Sequence, residues 1–399
     1  MGPLTTLERQ LHVSRTCLSL HPPPGSLLAR HRQLAPTAAI RVSPLCLGAM
    51  TFGTANSERY GHCTKDDAFG VLDAFYSRGG NFIDTANVYR QGQSEEWLGE
   101  WMEDRQNRDE IVLATKYSSP WQTQHPGKLQ SNYGGNNVKS MKLALEASLK
   151  RLRTNYVDLY YVHWGDYSTS IPELMHALND LVSSGKVLYL GISDTPAWVV
   201  SKANEYARQK ELRQFVVYQG MWNATMRDFE RDIIPMCREE GMGLCPYGVL
   251  NQGRFQTEGG FREREKRNVG RNFIATLQRD KDVSGVLEKI AKRKKADLLH
   301  VALGYVMDKA PYVFPIVGAR KVSHNEGSIA GIGVTLTDEE VAEIESVYEF
   351  DFGFPHFFLS GTLFDGSKSR GADRPGDCWM IKQLGNFDWL KPKAIRPKQ

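Results

Sequence analysis

Short apolar runs alternate with segments of helical periodicity along most of the chain, beginning near Val42. Residues 45–48 can form a strand, and the next segment has apolar residues at 68, 71, 72, 75 and 76, which is the spacing of one helical face. Thr64 precedes this segment as a helix N-cap, and a Gly79-Gly80 pair follows it as a stop signal. The pattern therefore predicts a strand followed by a helix.

The same alternation continues toward the carboxyl terminus. It predicts strands at 81–84, 111–115, 156–162, 187–192, 215–218, 242–245 and 312–317. It predicts helices at 95–102, 138–152, 174–182, 197–208, 228–240, 283–292 and 297–306. Strands that alternate with helices are typical of a parallel sheet with its helices outside. About eight such units fit a closed barrel better than an open sheet, so we predict an α/β fold, a (β/α)8 TIM barrel.

Three regions follow from this pattern. We assign 38–348 to the barrel and 1–37 to a loosely ordered N-terminal extension, because the run Pro22-Pro23-Pro24-Gly25 breaks any helix there. Residues 349–399 form an aromatic and Gly-rich tail without a clear period, which either covers the pocket mouth or packs on the barrel. Within the barrel region, 251–281 is a long charged connection, either a mobile flap or a solvated charge run.

Composition and charge exclude several classes of protein. A formal net charge of +4 over 399 residues argues against a dedicated nucleic-acid binder. No apolar run approaches the roughly 18 residues that a membrane span requires. The six cysteines include no CxxC pair and favour reduced thiols over a disulfide framework. We therefore expect a cytoplasmic protein with neither nucleic acid nor membrane as a partner, and without a metal site.

Polar residues stand at or just past the carboxyl ends of the predicted strands. In a barrel these ends share one rim, where such enzymes keep their active sites. Tyr89 lies in the loop after the second strand. The strand-end residues are Asp84, Lys116, His163, Ser193, Gln219 and Arg320.

Four of these residues match the chemistry of carbonyl reduction. A proton must reach the carbonyl oxygen as hydride reaches the carbon, yet free tyrosine has a pKa of about 10. A buried ammonium beside the phenol lowers that pKa, a carboxylate holds the ammonium, and a histidine can orient the carbonyl. Alone, each such residue is more often structural, as a cap, a surface pair or a core histidine. Together and in order they predict a catalytic set: Tyr89, Lys116, Asp84 and His163.

The motifs that carry this set are NFIDTANVY (81–89), ATK (114–116) and YVHW (161–164). They resemble the aldo-keto reductase superfamily, and the resemblance runs from about Val42 to Thr337. It implies that Tyr89 is the general acid, that Lys116 tunes its pKa with Asp84 as partner, and that His163 orients the substrate. It also implies a nicotinamide cofactor, NADPH/NADP+.

The resemblance extends to cofactor-binding positions, although no Rossmann GxGxxG fingerprint follows any strand. In the resembled family, the equivalents of Ser193, Asp194 and Gln219 hold the nicotinamide carboxamide, and that of Trp222 stacks on the ring. Asp194 replaces the more common Asn and, when ionised, accepts but cannot donate a hydrogen bond. Trp222 taken alone is equally well explained as a core aromatic.

The phosphate groups are assigned in the same way. The segment 246–255 resembles the family's pyrophosphate loop, with Asn251 and Gln252 where glycines are usual. At 317–324, an Arg at the start of a helix is an anion site in its own right, and the family uses this stretch for the adenosine 2′-phosphate. The implied ligands are Tyr247, Gly248, Leu250, Gly253 and Arg254 in the first segment, and Gly318, Arg320, His324 and Ser328 in and after the second.

Within the superfamily, three segments look like the fungal aryl-alcohol dehydrogenases and norsolorinic acid reductase-like enzymes: GISDTPAW (191–198), DIIPMC (232–237) and FDFGFP (350–355). This resemblance implies aromatic or polyketide-derived carbonyls or alcohols as small-molecule substrates, in fungal secondary metabolism. Tyr117, Trp121, Trp164 and Tyr133 either line the substrate pocket or pack in the core.

Two other functions fit a barrel of this kind. One is a non-catalytic nicotinamide-binding protein that acts as an accessory subunit, which the Asn251-Gln252 departure favours. The complete catalytic set argues against it. The other, an aldolase or isomerase, lacks the surrounding pattern of residues.

Overall fold

The computed structural model describes residues 22–267, 275–389 and 394. Eight parallel strands form one sheet, in the spatial order β10-β3-β4-β5-β6-β7-β8-β9. The strands are β1 (Arg32–Ala35), β2 (Ala38–Val42), β3 (Cys46–Gly48), β4 (Phe82–Asp84), β5 (Val112–Tyr117), β6 (Val157–Val162), β7 (Val187–Ser193), β8 (Phe215–Met221), β9 (Gly243–Tyr247) and β10 (Ile316–Gly318).

Backbone hydrogen bonds close this sheet into a barrel. The Leu244 N–H donates to the Tyr312 carbonyl at 2.9 Å, and the Phe314 N–H donates to the Leu244 carbonyl at 2.8 Å. These bonds join β9 to the chain just before β10, so the first and last strands of the order meet. The predicted (β/α)8 TIM barrel is confirmed.

The helices lie between the strands or follow the last one. They are α1 (Ser57–Tyr60), α2 (Lys65–Ser77), α3 (Gln93–Arg105), α4 (Val138–Arg151), α5 (Ile171–Ser183), α6 (Ala197–Gln209), α7 (Ile233–Glu239), α8 (Glu258–Arg267), α9 (Gln278–Lys294), α10 (Leu298–Lys309), α11 (Val322–Ala330), α12 (Asp338–Glu345), α13 (His356–Leu359), α14 (Thr362–Asp365) and α15 (Trp379–Lys382). In the described part of the chain, none of them is long and apolar enough to cross a membrane.

Two of these helices show how local sequence sets their limits. At the start of α2, the Thr64 side chain accepts a hydrogen bond from the Asp67 N–H, and the Asp67 carboxylate accepts one from the Thr64 N–H. The predicted helix 228–240 is shorter in the structure, a 3-10 turn followed by α7. Pro235 accounts for the late start, because a proline is tolerated only in the first turn of a helix.

A short hairpin occupies part of the segment that we expected to be loosely ordered through residue 37. Strands β1 and β2 pair in antiparallel fashion, and Leu34 is buried among apolar side chains of the barrel interior. The hairpin meets the first residue of β9, Gly243, so it covers the amino-terminal end of the barrel. A four-residue strand carries too little periodicity to be predicted, whereas burial of its apolar residues stabilises it. Residues 1–21 lie outside the described residues.

The remaining connections were left open by the sequence. The charged connection 251–281 contains α8 and the start of α9, and 268–274 lies outside the described residues. The tail packs against the barrel: Arg231 donates to the Phe352 carbonyl at 3.0 Å, and Arg238 pairs with Asp373 at 2.9 Å. No described residue of the tail lines the central cavity.

The contact between the hairpin and Gly243 can be tested by substitution. A Cβ at Gly243 would lie 2.4 Å from the Leu34 carbonyl oxygen, so Gly243→Ala must push the hairpin away. We expect a loss of about 1–3 kcal/mol in the free energy of unfolding, the usual range for overpacking, measured by urea denaturation. Gly285→Ala is the control, because Gly285 lies on the exposed face of α9 with open space around it. That variant should be neutral or stabilised by up to about 1 kcal/mol. Equal stability of the two variants would contradict this account of the hairpin.

Candidate active site

A cavity of about 1210 Å³ opens at the carboxyl ends of the barrel strands. Parallel strands place their last residues on one rim, which is where the sequence predicted the site. Residues at or near the ends of β3, β4, β7, β8, β9 and β10 line it: Gly48, Asp84, Ser193, Gln219, Tyr247 and Gly318.

The Lys116 ammonium lies at the centre of this rim and is 0% exposed. It donates hydrogen bonds to Asp84 Oδ1 at 2.5 Å, to the Thr85 carbonyl at 2.6 Å and to Tyr89 Oη at 3.3 Å. Burial lowers the pKa of Lys116, but Asp84 and Tyr89 raise it by more, so the pKa stays above its ordinary value. The ammonium therefore remains charged at neutral pH.

Tyr89 is the predicted proton donor, and its pKa is set by two opposing effects. Burial raises the pKa of the phenol, while the Lys116 charge lowers it. The Lys116 contribution has the predicted sign, but burial is larger and the net direction is upward. Tyr89 is thus protonated at neutral pH, and the neighbouring ammonium can stabilise the phenolate that forms when the proton leaves.

His163 stands next to Tyr89, with ring centroids 6.0 Å apart and nearly perpendicular. Burial, together with the Lys116 charge, lowers the pKa of His163 to about 3. The imidazole is therefore neutral and carries one N–H. Its Nδ1 lies 3.4 Å from the Ser119 hydroxyl, and both His163 and Tyr89 line the cavity. A neutral imidazole in this position can donate a hydrogen bond to a carbonyl oxygen.

Polar groups from β7 and β8 complete this end of the cavity. Gln219 Nε2 donates to Asp84 Oδ2 at 3.0 Å, so it binds the oxygen of the carboxylate that Lys116 leaves free. Asp194 accepts from the Ser193 hydroxyl at 3.2 Å and from the Tyr247 hydroxyl at 3.3 Å. Burial nevertheless raises the pKa of Asp194 to about 6, and its backbone has a φ of 42°.

Comparison with known proteins agrees with this geometry. Residues 44–349 match the family model described as "Aldo/keto reductase family". This chain belongs to the aldo/keto reductase family. The predicted family is confirmed, and so is the prediction that the protein is an oxidoreductase that acts on carbonyl or alcohol groups.

Similar proteins come from several fungi. The chain is 64% identical to norsolorinic acid reductase B of Dothistroma septosporum, over 92% of this chain and 94% of the relative. It is 62% identical to norsolorinic acid reductase B of Aspergillus parasiticus, over 93% and 98% of the two chains. It is 44% identical to the aryl-alcohol dehydrogenase [NADP(+)] of Phanerodontia chrysosporium, over 95% and 98%.

In this aldo/keto reductase, the side chain that was predicted to stack on the cofactor ring does not reach the cavity. Trp222 is 0% exposed, stacks on Phe229 at 5.7 Å and does not line the cavity, so the prediction that it stacks on a cofactor ring is wrong. Tyr247, the last residue of β9, lines the cavity instead. Strand alternation was the overlooked signal: Gln219 and Met221 face the cavity, so the side chain after Met221 points away.

The loop after β9 divides between the cavity and the interior. Gly248, Leu250 and Gly253, for which pyrophosphate binding is predicted, line the cavity. The prediction for Arg254 is wrong, because its guanidinium is buried, lies 3.4 Å from Asp280 and does not line the cavity. Asn251 explains this placement, since its side chain bonds both Arg254 and Asp280. An Asn at the position where glycine is usual therefore anchors the loop from within.

The residues predicted for the adenosine phosphate also line the cavity: Gly318, Arg320, His324 and Ser328. The loop between β3 and α2 also contributes lining residues that the sequence analysis missed: Met50, Thr51, Arg59 and Tyr60. Met50 and Thr51 could have been noticed because they come just after β3, whereas Arg59 and Tyr60 lie farther along, in α1.

The predicted substrate aromatics lie mostly in the core. Tyr117 is buried and stacked on Tyr160 at 5.2 Å, and Trp121 packs edge-on against Tyr133 at 5.5 Å. Neither lines the cavity, so of the two alternatives the structure favours packing in the core for both residues. Trp164 is half-buried beside His163 and donates to the Ser119 hydroxyl at 3.1 Å, but it does not line the cavity either.

The buried pair of Lys116 and Asp84 provides a stability test. Lys116→Met leaves the Asp84 carboxylate buried without its cation, and we expect a loss of about 3–5 kcal/mol in the free energy of unfolding. The double variant Asp84→Asn with Lys116→Met removes both charges and should recover part of that loss. Urea denaturation of the three proteins measures both effects. A single-variant loss below about 1 kcal/mol would contradict the pairing.

Proposed function

We propose that this aldo/keto reductase uses NADPH to reduce an aromatic or polyketide-derived aldehyde or ketone to its alcohol, or catalyses the reverse reaction. The observation that carries the proposal is the 3.3 Å contact between the buried Lys116 Nζ and Tyr89 Oη, because Tyr89 lines the same cavity as Arg320. A proton donor and an anion-binding side chain in one cavity suit a reaction that needs a phosphorylated cofactor.

The residues present fit NADPH along the length of the cavity. Ser193, Asp194 and Gln219 would hold the carboxamide beside Tyr89, with Tyr247 as the aromatic neighbour of the ring. Gly248, Leu250 and Gly253 would allow the pyrophosphate to approach the backbone. Arg320, His324 and Ser328 would hold the phosphorylated adenosine. When bound, NADPH supplies the hydride.

The residues of the chain then perform the proton chemistry. Tyr89 donates its phenolic proton to the substrate oxygen, and Lys116 stabilises the resulting phenolate. Asp84 keeps the ammonium in place, and neutral His163 donates a hydrogen bond to the same oxygen. In the alcohol-to-carbonyl direction the Tyr89 phenolate takes the proton back.

The substrate class rests on the relatives. Two of them bear names with norsolorinic acid and one with aryl alcohol, and each is similar over more than nine-tenths of this chain. One name specifies the oxidation of an aryl alcohol and the other two specify a reduction, and we infer an aromatic carbonyl, or the corresponding alcohol, as the reacting group here.

Replacement of the proton donor tests the activity. Tyr89→Phe should lower kcat for NADPH-dependent reduction of veratraldehyde by about 100-fold or more, because general acid catalysis is worth at least that. NADPH binding, followed by fluorescence titration, should persist. Tyr156→Phe is the matched control, since Tyr156 precedes β6 at the other end of the barrel. Tyr89→Phe activity above about a tenth of the wild-type value would contradict the role. A wild-type protein that binds NADPH without turnover of aromatic carbonyls would favour the accessory-subunit alternative.

Asp194 should make the affinity for NADP+ depend on pH. With a pKa of about 6, Asp194 becomes a carboxylate as pH rises and then accepts a stronger, charge-assisted hydrogen bond from the carboxamide. We expect NADP+ to bind wild type about three- to tenfold more tightly, relative to Asp194→Asn, at pH 8 than at pH 5. The 2′-phosphate itself titrates near pH 6, so the ratio of the two dissociation constants is the quantity to compare. A ratio that stays constant with pH would remove Asp194 from the carboxamide site.

A further inference from the structure

Arg90, the residue after Tyr89, is a buried cation that the proposed mechanism does not use. It is 0% exposed, and burial lowers its pKa. No carboxylate among the described residues lies within ion-pair distance of it. A buried guanidinium without a counter-charge is costly unless hydrogen bonds replace its hydration, so its contacts identify its role.

Those contacts all go to one loop. The guanidinium donates to the Ala55 carbonyl at 2.8 Å, the Thr51 carbonyl at 3.0 Å and the Gly61 carbonyl at 2.6 Å. It also lies over the Tyr60 ring, 4.9 Å from the centroid. The planar fork of an arginine can reach three such acceptors together, which a lysine ammonium on a flexible stem does less well.

The backbone conformations of the Arg90 segment and of the loop both allow this contact. Arg90 and Gln91 both have left-handed backbone angles, with φ of 51° and 58°, an uncommon conformation for residues with a side chain. Gly53 has a φ of 136°, and a Cβ there would lie 2.6 Å from Arg90 Cβ. Gln93 adds a second anchor, since its Oε1 accepts from the Thr54 and Ala55 N–H groups, both at 2.9 Å.

The loop held in this way forms a wall of the cavity and touches Arg320. Thr51 and Tyr60 line the cavity. A Cβ at Gly61 would lie only 2.0 Å from Arg320 Nη1, so the position of Gly61 determines the space available to that guanidinium. The Gly61 carbonyl is also one of the three acceptors of Arg90.

We infer that Arg90 is a positioning residue for the cofactor. It fixes the loop from Thr51 to Gly61, and through Gly61 it sets Arg320 in place for the adenosine 2′-phosphate. The inference rests on the proposed NADPH-dependent function. It adds a residue that would not contact the cofactor but would position a residue that does.

The test compares NADPH with NADH, which lacks the 2′-phosphate. Dissociation constants are measured by fluorescence titration of the purified full-length chain, without turnover. Arg320→Ala should weaken NADPH binding about tenfold or more and NADH binding little, the expected loss of a hydrogen bond to a charged group. Arg90→Gln should likewise raise the ratio of the NADPH dissociation constant to the NADH dissociation constant, by about fivefold or more. The reason is that this substitution frees the segment that positions Arg320. In the double variant, the ratio should not exceed that of Arg320→Ala, because the two residues act on one interaction.

Three further variants separate positioning from stability. Gly61→Ala intrudes on Arg320 directly and strains a residue with a φ of 82°, so it should shift the ratio of dissociation constants in the same direction. Arg90→Lys keeps the charge but loses the planar fork, and it decides the matter if Arg90→Gln does not fold. Arg108→Gln is the control at the amino ends of the strands, where the Arg108 guanidinium donates to the Ile111 carbonyl at 2.9 Å and the Tyr156 carbonyl at 3.0 Å and also pairs with Asp158 at 2.9 Å. It should lower Tm without changing the ratio.

The inference is overturned if Arg90→Gln and Gly61→Ala both leave the NADPH-to-NADH ratio within about twofold of wild type, or if Arg90→Gln and Arg320→Ala prove additive. Failure of the proposed function would appear differently, as a wild-type protein that binds no NADPH or keeps its turnover in Tyr89→Phe.

Discussion

The buried Lys116 ammonium is the constraint on which the site depends. An unpaired charge in a barrel interior would be strongly destabilising, so each of its three protons needs an acceptor. Asp84, the Thr85 carbonyl and Tyr89 provide them, and Gln219 binds the remaining oxygen of Asp84 from the far side of the barrel. These groups meet only if β4 and β5 pair in register and the sheet closes as far as β8. The charge to which we assign a catalytic role thus also selects the correctly closed barrel.

The same burial assigns different protonation states to neighbouring groups. It raises the pKa of Tyr89 and lowers that of His163 to about 3, so both are neutral hydrogen-bond donors at pH 7. Lys116 keeps its proton because Asp84 compensates for its desolvation. In the proposed reaction, a substrate oxygen between Tyr89 and His163 would therefore face two neutral donors, with the positive charge of Lys116 behind the phenol. That order favours proton transfer from Tyr89 rather than from the imidazole.

The repeating pattern of the chain was sufficient to predict the barrel, because each buried parallel strand reads as an apolar run. The proximity of Asp84, Tyr89, Lys116 and His163 was also predictable, since the carboxyl ends of the strands share one rim. Trp222 was misjudged because residue type does not reveal which side of a strand a ring occupies. The β1–β2 hairpin was missed because its stabilisation comes from contacts with Gly243 and the barrel interior, which are distant in sequence.

The arginines show why anion sites are harder to predict than the catalytic set. Arg254 and Arg320 both follow a strand end, and both were assigned to phosphate groups from the sequence. Asp280 neutralises Arg254 inside the protein, while the Gly61 backbone packs beside Arg320 and leaves it at the cavity. Asp280 lies on α9 and Gly61 before α2, so neither partner is adjacent in sequence. Whether an arginine is available to a ligand thus depends on whether a carboxylate of the protein pairs with it. That depends on contacts between residues distant in sequence, which only the folded chain shows.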